Sequence, residues 1–584
     1  MGLALVALGS AWLSLWGIAD GVRSEYYAAV ARSMSLSWHN LLYGAMDPTG
    51  VVSIDKVPGS FWWMALSVRL FGMHTWAVLL PSGIATVITT ATVAITTRRW
   101  LGDAAGLTAG AVFALTPIVA AVARSNQPHV VFVCLLAIAV DRAVVAVQQG
   151  SRRTLIIAGL WIAAAFQSYM LAAWAIWPAV IVAWLVAAPL PRRRRVLDLL
   201  AAGVLSGLAS LWWIALVTLT PAGARPWVGG TDHNSAIEMV FGYNGFGRFG
   251  HGATTVPGAA FRGFVPPFGG PVGWGRLFNA QMGGQVAWLL PAAMIGAVLV
   301  LLGLRRMPRH AQGPAILTLG WFATFVAIDS LSAGVHQFYA AALAPAMGAL
   351  VAAGIDLARR RPRRTGTPLL IGLLAVTAAT ALLLAARMPG YLPWVPWVQL
   401  ALAALVAGLL LGRAGRRALP ALLVVALLLT PAAWAADAMH HPNAMNPVAG
   451  PNDGGSPTRK HGSTGDVIVT GAEARQLVRW LRPRTVGARF RLATLDGITA
   501  SPFITTTGAA VLPIGGFDGT DPVPTLARVQ AWVASGDLRY VLAGPGAVGT
   551  QIGPRDRVIR TWLRTHCAPV QDAPVAGLLH CGRG

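Results

Sequence analysis

Long apolar runs recur between residues 3 and 435, separated by short connections that contain Arg, Pro or Gly. A helix needs about 20 apolar residues to cross a bilayer, so these runs predict membrane-spanning helices. The thirteen candidate spans are 3–19, 76–97, 105–122, 128–147, 154–167, 170–190, 197–219, 286–304, 314–332, 337–357, 367–387, 394–412 and 417–435. The weakest two, 154–167 and 170–190, could also form one broken or re-entrant element. The pattern predicts a mainly α, polytopic membrane protein with about 13 transmembrane helices.

Arginine clusters occupy every second connection between these spans. They lie at residues 98–99, 152–153, 192–195, 305–309, 359–364 and 413–417. The positive-inside rule predicts that these connections, and the amino terminus, are cytoplasmic. Loops 20–75 and 220–285 and the tail after residue 436 are then on the outer side. The first run lacks a basic flank and a small-residue cleavage site, so we interpret it as a retained helix.

The composition changes near residue 438. Residues 1–438 are predicted to form the transmembrane domain with its outer loops, 439–465 a linker rich in Pro, Gly and Asn, and 466–584 a soluble domain. In that domain, strand-like and helical segments alternate, which predicts a small α/β domain. The strand-like segments are 466–470, 489–495, 509–514 and 538–542, and the helical ones are 472–482, 523–535 and 555–566.

Composition and charge narrow the class of protein. The chain is 55% hydrophobic and only 11% charged, which is too little polar material to coat a soluble enzyme of 584 residues. Its surroundings are therefore expected to be a lipid bilayer. The net charge of +24 could suggest a nucleic-acid partner, but the basic residues form short clusters between apolar runs. We interpret them as topology signals and expect no nucleic-acid binding.

The chain has three cysteines. Cys134 lies in a candidate span and is expected to pack as a small apolar residue. Cys567 and Cys581 both lie in the tail, outside the reducing cytoplasm by the predicted topology, so a disulfide and two separate thiols are both open.

The first outer loop has the ionisable residues that chemistry at a membrane surface needs. On a helix, Glu25 and Arg32 lie along one side and could face one cavity, although a solvated interfacial helix would show the same spacing. Lys56 is one of only two lysines among 45 basic residues. Its compact ammonium could bind a phosphate at the lipid headgroup level, and a plain surface pair with Asp55 is the alternative.

Further candidates lie in the second long outer loop and beyond it. Aromatic, amide and carboxylate side chains there suit sugar binding, and arginines suit phosphate. An interfacial belt or a lid would also explain them. These candidates are Asp232, Asn234, Tyr243, Asn244, Arg248 and Arg276, with His336 and Tyr339 at the predicted outer start of a later span.

Several of these motifs together carry a resemblance to a known family. Glu25-Tyr26-Tyr27-Ala28, Ser37-Trp38-His39-Asn40 and Asp55-Lys56-x-Pro58, within multiple spans, resemble the C-type (GT-C) integral-membrane glycosyltransferases, in the branch of the protein O-mannosyltransferases and the lipid A aminoarabinose transferase. A bacterial subgroup of that branch is similar in further motifs. These are residues 229–235, 241–245, 275–279 and Ile514-Gly515-Gly516-Phe517-Asp518-Gly519. The resemblance covers essentially the whole chain and is specific for family, not for substrate.

The resemblance implies transfer of a sugar from a polyprenyl-phosphate donor to a cell-envelope acceptor, at the outer face of the bacterial cytoplasmic membrane. It places Lys56 on the carrier phosphate, with Arg124, Arg248 and Arg276 as further candidates. The carboxylates considered as base are Asp55, Glu25 and Asp20, and a divalent cation is a candidate cofactor. The candidate substrate-binding residues are Tyr27, Trp38, His39, His129, Asp232, Asn234, Tyr243, Asn244, His336 and Tyr339.

The chain also departs from the family pattern. Val57 replaces a proline, segment 124–129 lacks an acid that the family often has there, and His233 stands where a second Asp is common. An inactive paralogue is therefore one alternative. A transporter or flippase of polyprenyl-linked sugars is another, although the spans do not divide into two similar halves and the polar residues lie toward the outer side. A non-catalytic envelope scaffold is the third.

Overall fold

A computed structural model describes residues 1–248, 268–412, 419–440, 446–451, 469–543 and 554–582. Its contacts divide the chain into two compact units. The first unit comprises Met1–Val22, Leu79–Ser210 and Pro266–Ser456, and the second comprises Arg23–Val78, Leu211–Val265 and Pro457–Gly584.

Helices dominate the described part of the chain up to residue 437. They are α1 (Gly2–Leu15), α2 (Glu25–Leu36), α3 (Trp38–Tyr43), α4 (Gly59–Phe71), α5 (Thr75–Leu101), α6 (Asp103–Ala114), α7 (Pro117–Ala123), α8 (His129–Gln149), α9 (Arg152–Tyr169), α10 (Leu171–Trp174), α11 (Trp177–Ala187), α12 (Arg192–Leu219), α13 (Gly283–Val286), α14 (Leu290–Gly303), α15 (Arg309–Leu331), α16 (Ala344–Arg360), α17 (Arg363–Ala385), α18 (Val395–Gly412) and α19 (Leu419–Asp437).

Nine helical segments in the described part of the chain are long and apolar enough to span a membrane. They are Gly2–Asp20, Thr75–Leu101, His129–Gln149, Arg192–Leu219, Gly283–Arg306, Arg309–Leu331, Arg363–Ala385, Val395–Gly412 and Leu419–Asp437. The pair α6 and α7, bent by 64°, gives a tenth if it is one broken span. The polytopic helical class is confirmed, but the count of thirteen is not.

The local geometry explains much of the difference in the count. The chain breaks at Met170, whose φ is 52°, and this residue ends α9. The segment predicted as 170–190 then forms the short helices α10 and α11. The segment predicted as 337–357 divides into a 3₁₀ helix, Gln337–Ala342, followed by α16. Hydropathy windows register apolar composition and do not register such breaks.

The tail folds as an α/β domain, as predicted. Its elements are α20 (Gly471–Leu481), β1 (Leu492–Thr494), α21 (Gly497–Thr507), β2 (Val511–Pro513), α22 (Leu526–Ala534), β3 (Tyr540–Leu542), α23 (Pro554–His566), β4 (Cys567–Pro569) and β5 (Leu578–Cys581). The sheet has the order β2-β1-β3-β5-β4. Strand β1 pairs parallel with β2 and β3, whereas β5 pairs antiparallel with β3 and β4.

Details of the predicted tail elements were wrong. Residues 466–468 lie outside the described part, and Thr470 is not in a strand but caps α20 in a capping box with Glu473. Helix α21 was missed because its β-branched residues favour strands, whereas the Asp496 side chain caps its first turn. Strands β4 and β5 were also missed. The structure joins them through a Cys567–Cys581 disulfide at paired positions.

The second unit has a core that segments distant in sequence share. Tyr26 and Met34 of α2, Phe61 of α4, and Phe490 and Trp532 of the tail belong to one buried apolar cluster. Burial of apolar surface is the main favourable term in folding, so this cluster fixes the first outer loop against the tail domain. The predicted linker 439–465 lies largely outside the described residues.

Candidate active site

The second unit contains a buried ion pair between two consecutive residues. Lys56 Nζ donates to both carboxylate oxygens of Asp55, at 2.8 and 2.9 Å, and the side chains are 13% and 5% exposed. Lys56 Nζ also lies 5.7 Å from the centre of the Tyr27 ring, where a cation–π attraction operates. Desolvation of two charges offsets most of their attraction, so stability alone is a weak reason for such a pair.

Two residues from the second outer loop hold Asp55. The Tyr243 hydroxyl donates to Asp55 Oδ2 at 2.9 Å, and Asn244 Nδ2 donates to the Asp55 backbone carbonyl at 2.8 Å. They stand at the end of a π-helical turn, Glu238–Tyr243, a rare conformation that is frequent at functional sites. The structure therefore brings predicted residues from two long loops, both predicted to be external, to one centre.

Close approach of two backbones explains the Gly229-Gly230 motif. Ser53 N–H donates to the Trp227 carbonyl at 2.7 Å, and Trp227 N–H donates to the Val51 carbonyl at 2.9 Å. A Cβ on Gly229 would lie 2.4 Å from the Ser53 carbonyl oxygen. Gly230 has a φ of +72°, and a Cβ there would lie 3.1 Å from Asp55 Cβ. Only glycine at these two positions allows the close backbone contact and the positive φ without strain.

Asp47 shapes the turn that precedes the ion pair. Its buried carboxylate accepts from the backbone N–H groups of Thr49, Val51 and Val52, each at 2.9 Å. Burial raises the pKa of Asp47 although these hydrogen bonds act to lower it. The turn sets the start of the extended segment that leads to Asp55, and sequence reasoning assigned Asp47 no role.

The tail contributes its Gly-Gly-Phe-Asp-Gly motif to the same region. Gly230 N–H donates to both oxygens of Asp521 at 3.0 Å, and the Phe517 ring lies 4.5 Å from the buried Tyr26 ring. Burial raises the pKa of the Tyr26 hydroxyl, and the negative charge of Asp55 raises it further.

Asp518 of this motif has an exposed side chain, yet the protein atoms around it desolvate the carboxylate and raise its pKa. The Asp55 charge adds a smaller effect in the same direction. Sequence reasoning quoted this motif but gave no role to Asp518 or Asp521. The paired glycines were the signal, because both have positive φ and allow the compact turn that presents these carboxylates.

Glu25 has different surroundings. It accepts from Arg23 Nε at 3.3 Å and from the Thr505 hydroxyl at 2.7 Å, and neither of these partners contacts Asp55 or Lys56 through the hydrogen bonds described above. Glu25 and Arg32 do lie on one side of α2, but that side packs against α21. The shared cavity expected for this pair is therefore replaced by a packed helix interface. Asp20 ends a 3₁₀ turn, Ile18–Asp20, in the first unit and is exposed.

The remaining candidates of the second unit mostly have local partners. The Arg69 guanidinium lies 4.2 Å from the Trp38 ring centre, and the His39 ring lies 4.8 Å from that of Tyr43. Asp232 N–H donates to Glu238 Oε1 at 3.0 Å. Asn234 Oδ1 accepts from Arg225 Nη1 at 2.6 Å. Asn234 has a φ of 55°, a left-handed backbone conformation that Asn tolerates.

Two predicted phosphate ligands of the first unit instead have structural contacts. Arg124 Nη1 donates to the carbonyls of Leu13 and Trp16 at 3.1 and 2.8 Å, at the end of α1. Arg276 Nη1 donates to the carbonyls of Asp329 and Ser332 at 3.1 and 2.6 Å, at the end of α15. A cation at a helix carboxyl terminus satisfies its last carbonyls, and both side chains are buried. These contacts give both arginines a structural role, and binding of the carrier phosphate by either of them stays a prediction.

The side chain of Arg248 lies outside the described part of the structure. The other predicted residues of the first unit form an aromatic cluster. His129 Nε2 lies 3.1 Å from the Tyr339 carbonyl oxygen, and the two rings stack at 5.4 Å. His336 Nδ1 lies 3.3 Å from Asn446 Oδ1, and its ring stacks on Phe268 at 4.3 Å. The structure thus brings His129 and Tyr339 together.

The donor set does not fit a divalent cation. Within the described ranges, no three His, Cys, Asp or Glu side chains converge as metal ligands would. Both oxygens of Asp55 bind the Lys56 ammonium, which a cation at this carboxylate would have to displace.

The chain is similar in sequence to known mannosyltransferase families and proteins. The family model "Dolichyl-phosphate-mannose-protein mannosyltransferase" matches residues 55–217, and "Putative mannosyltransferase YkcB-like, C-terminal" matches residues 477–566. "Putative mannosyltransferase YycA" of Bacillus subtilis (strain 168) is 28% identical and aligns over 92% of this chain and 90% of its own length. "Putative mannosyltransferase YkcB" of the same organism is 28% identical over 93% of this chain and 88% of its own length.

Solved structures show the same fold. ArnT from Cupriavidus metallidurans, bound to undecaprenyl phosphate, is similar with a TM-score of 0.59 at 17% identity, over 100% of this chain and 98% of that one. The Archaeoglobus fulgidus oligosaccharyltransferase gives a TM-score of 0.51 at 13% identity, over 93% of this chain and 69% of that one. The fold is that of a GT-C-like membrane protein. The resemblance to the glycosyltransferases of the protein O-mannosyltransferase and ArnT-like branch is confirmed.

Proposed function

We propose that the protein transfers a sugar from a polyprenyl-phosphate donor to a cell-envelope acceptor, with the Asp55–Lys56 pair at the reaction centre. The observation that carries the proposal is the buried, doubly hydrogen-bonded ion pair at 2.8 and 2.9 Å. The match to the mannosyltransferase family model over residues 55–217 includes this pair and supports a glycosyltransferase reaction. The alternative hypothesis, a transporter or flippase of polyprenyl-linked sugars, has no comparable support in the described residues.

In the proposed reaction, an acceptor hydroxyl attacks the anomeric carbon of the donor sugar. The bond from that carbon to the phosphate oxygen breaks, a carboxylate takes the hydroxyl proton, and the polyprenyl phosphate leaves. Lys56 contacts the departing phosphate, because a positioned ammonium stabilises the charge that develops there. Asp55 positions Lys56, while Tyr243 and Asn244 hold Asp55.

The base is proposed to be a carboxylate of the second unit other than Asp55. Hydrogen bonds to a charged carboxylate favour that form and weaken it as a base, and Asp55 accepts from both Lys56 and Tyr243. Glu25 is bonded to Arg23 and Thr505. Asp518 is exposed and uses Oδ1 to accept from Thr520, and desolvation raises its pKa. We therefore place Asp518 ahead of Glu25 as the base.

The sugar and the carrier are proposed from the named relatives. Mannose is the first sugar to test because the B. subtilis relatives are named mannosyltransferases. Undecaprenyl phosphate is the first carrier because the similar ArnT structure is described as bound to it.

A donor-consumption assay tests this proposal. Purified protein is incubated with undecaprenyl phosphates that carry radiolabelled mannose, glucose or arabinose, together with a cell-envelope extract. We expect one donor to lose its sugar to an envelope fraction, and we expect Lys56→Ala protein to show no loss. If no sugar donor is consumed by the wild-type protein under any acceptor condition, the proposal is wrong.

A further inference from the structure

The second unit contains a cavity of about 380 Å³ that the reaction centre does not use. Three separate segments line it: the first outer loop through His39 and Val51, the second outer loop through Arg225 and Trp227, and the tail through Arg489 and Arg528. Its volume is in the range of sites that bind small molecules.

The side chains that line the cavity carry positive charge and no negative charge. Of the described residues that line the cavity, three are arginines and none is Asp or Glu. Arg489 and Arg528 are exposed, and among the described residues neither has an ion-pair partner. Both guanidinium groups lie near the Trp532 ring, at 5.5 and 5.2 Å from its centre, so a cation–π attraction to this ring restrains both.

Arg225 supports the wall of the cavity. It donates to the Asn234 side chain and backbone at 2.6 and 3.1 Å, which orders the loop beside Trp227. Among the described residues, no carboxylate forms an ion pair with it. Like charges around one cavity repel one another and raise the local potential. An anion in the cavity would offset this repulsion between the positive charges.

The cavity lies close to the reaction centre along the chain. Val51 lines it, and Asp55 follows four residues later. Four residues of extended chain span at most about 14 Å. Trp227, whose backbone pairs with Val51 and Ser53, also lines the cavity. The cavity wall at Val51 is therefore within about 14 Å of Asp55.

We propose that this cavity binds an anionic group, a phosphate or a carboxylate, on the acceptor. The proposal rests on the proposed transferase function and deepens it, because it adds a charge requirement for the acceptor to the phosphate requirement for the donor. Two guanidinium groups bind an oxyanion by charge-assisted hydrogen bonds, and Trp227 offers an aromatic face to the sugar that bears it.

Direct binding of radiolabelled inorganic pyrophosphate tests the cavity. The full-length protein is reconstituted in phosphatidylcholine nanodiscs, in wild-type form and in a Lys56→Ala background that removes the donor phosphate site. We expect Arg489→Gln/Arg528→Gln to weaken binding in that background by about tenfold or more, since two charge-assisted contacts are lost. Ala224→Trp should also weaken it, because the ring fills the cavity and leaves every charge in place.

Arg475→Gln/Arg564→Gln is the matched control. These two arginines are exposed in the same tail domain and do not line the cavity, so the control loses the same net charge. Equal pyrophosphate affinity in the cavity variants and the control would overturn the inference.

Two further experiments distinguish the source of the anionic group. If the group is a lipid headgroup, nanodiscs with phosphatidylglycerol should weaken pyrophosphate binding to wild-type protein and not to Arg489→Gln/Arg528→Gln. If it belongs to a glycan, mannose 6-phosphate should compete and methyl mannoside should not.

Transfer assays separate this inference from the proposed function. A wild-type protein that binds pyrophosphate through Arg489 and Arg528 but transfers no sugar would contradict the function and leave the anion site standing. If transfer proceeds and Arg489→Gln/Arg528→Gln has the wild-type KM for acceptor and the wild-type pyrophosphate affinity, the inference alone is wrong.

Discussion

At the residue scale, the chemistry of the proposed site depends on the ammonium of Lys56. A buried pair of charges contributes little net stability, and removal of one partner leaves the other charge uncompensated. Lys56 and Asp55 are also fixed by Tyr27, Tyr243 and Asn244, which gives the ammonium one position. A guanidinium would keep the charge but has a planar shape and a longer reach.

The first prediction concerns Lys56. Lys56→Ala should abolish sugar transfer, and Lys56→Arg should retain only a small fraction, because the donor phosphate would meet the wrong geometry. Transfer rates and donor KM, measured with purified protein, test this. The other lysine of the chain supplies the control, and Lys460→Ala should transfer at the wild-type rate. If Lys56→Ala retains wild-type donor KM, the phosphate is bound elsewhere.

The second prediction concerns the carboxylates. Loss of a general base typically costs about 10²–10⁴-fold in rate. We expect Asp518→Asn to lower kcat in that range with little change in donor KM, and Asp55→Asn to disturb both constants because it releases Lys56. Glu25→Gln should have a smaller effect on kcat, since Glu25 is bonded to Arg23 and Thr505. A fully active Asp518→Asn beside a Glu25→Gln with reduced kcat would move the base to Glu25.

At the element scale, the sequence predicts what repeats along the chain and misses what depends on distant partners. Long apolar runs gave the membrane helices, and alternating segments gave the α/β tail. The contact between Asp521 and Gly230 joins positions 291 residues apart, and no local pattern contains it. The same holds for Arg124 and Arg276, whose charges suggested phosphate binding. Their partners are backbone carbonyls of distant segments, which only the fold reveals.

The third prediction concerns the Gly229-Gly230 turn. Gly230→Ala should lower kcat at least severalfold, because its Cβ would press on Asp55 and Tyr243 as well as strain the backbone. Gly487→Ala is the control, since Gly487 has a similar φ of +77° but open space around it. Both should lose about 1–2 kcal/mol of stability from the positive φ, measured by thermal unfolding. Equal kcat in the two variants would contradict a role of this turn in placing Asp55.

At the scale of the whole molecule, the proposed function requires the reaction centre and the tail to be on the same side of the membrane. Within the second unit, both long outer loops and the tail form one set of contacts around Asp55. The arginine clusters independently predict that these three segments share the outer side. The predicted topology and the proposed chemistry therefore depend on each other.

The last prediction tests that topology. A reporter fused after Arg195 or Arg364 should behave as cytoplasmic, and one fused after Gly465 as external, because the arginine clusters occupy alternate connections. In intact, unreduced cells, Cys567 and Cys581 should resist alkylation until a reductant opens their disulfide. Cys134 is buried in α8 and should stay unlabelled until the protein is denatured, which provides the internal control. A cytoplasmic signal after Gly465 would separate the second unit from the outer face and remove the proposed route to an envelope acceptor.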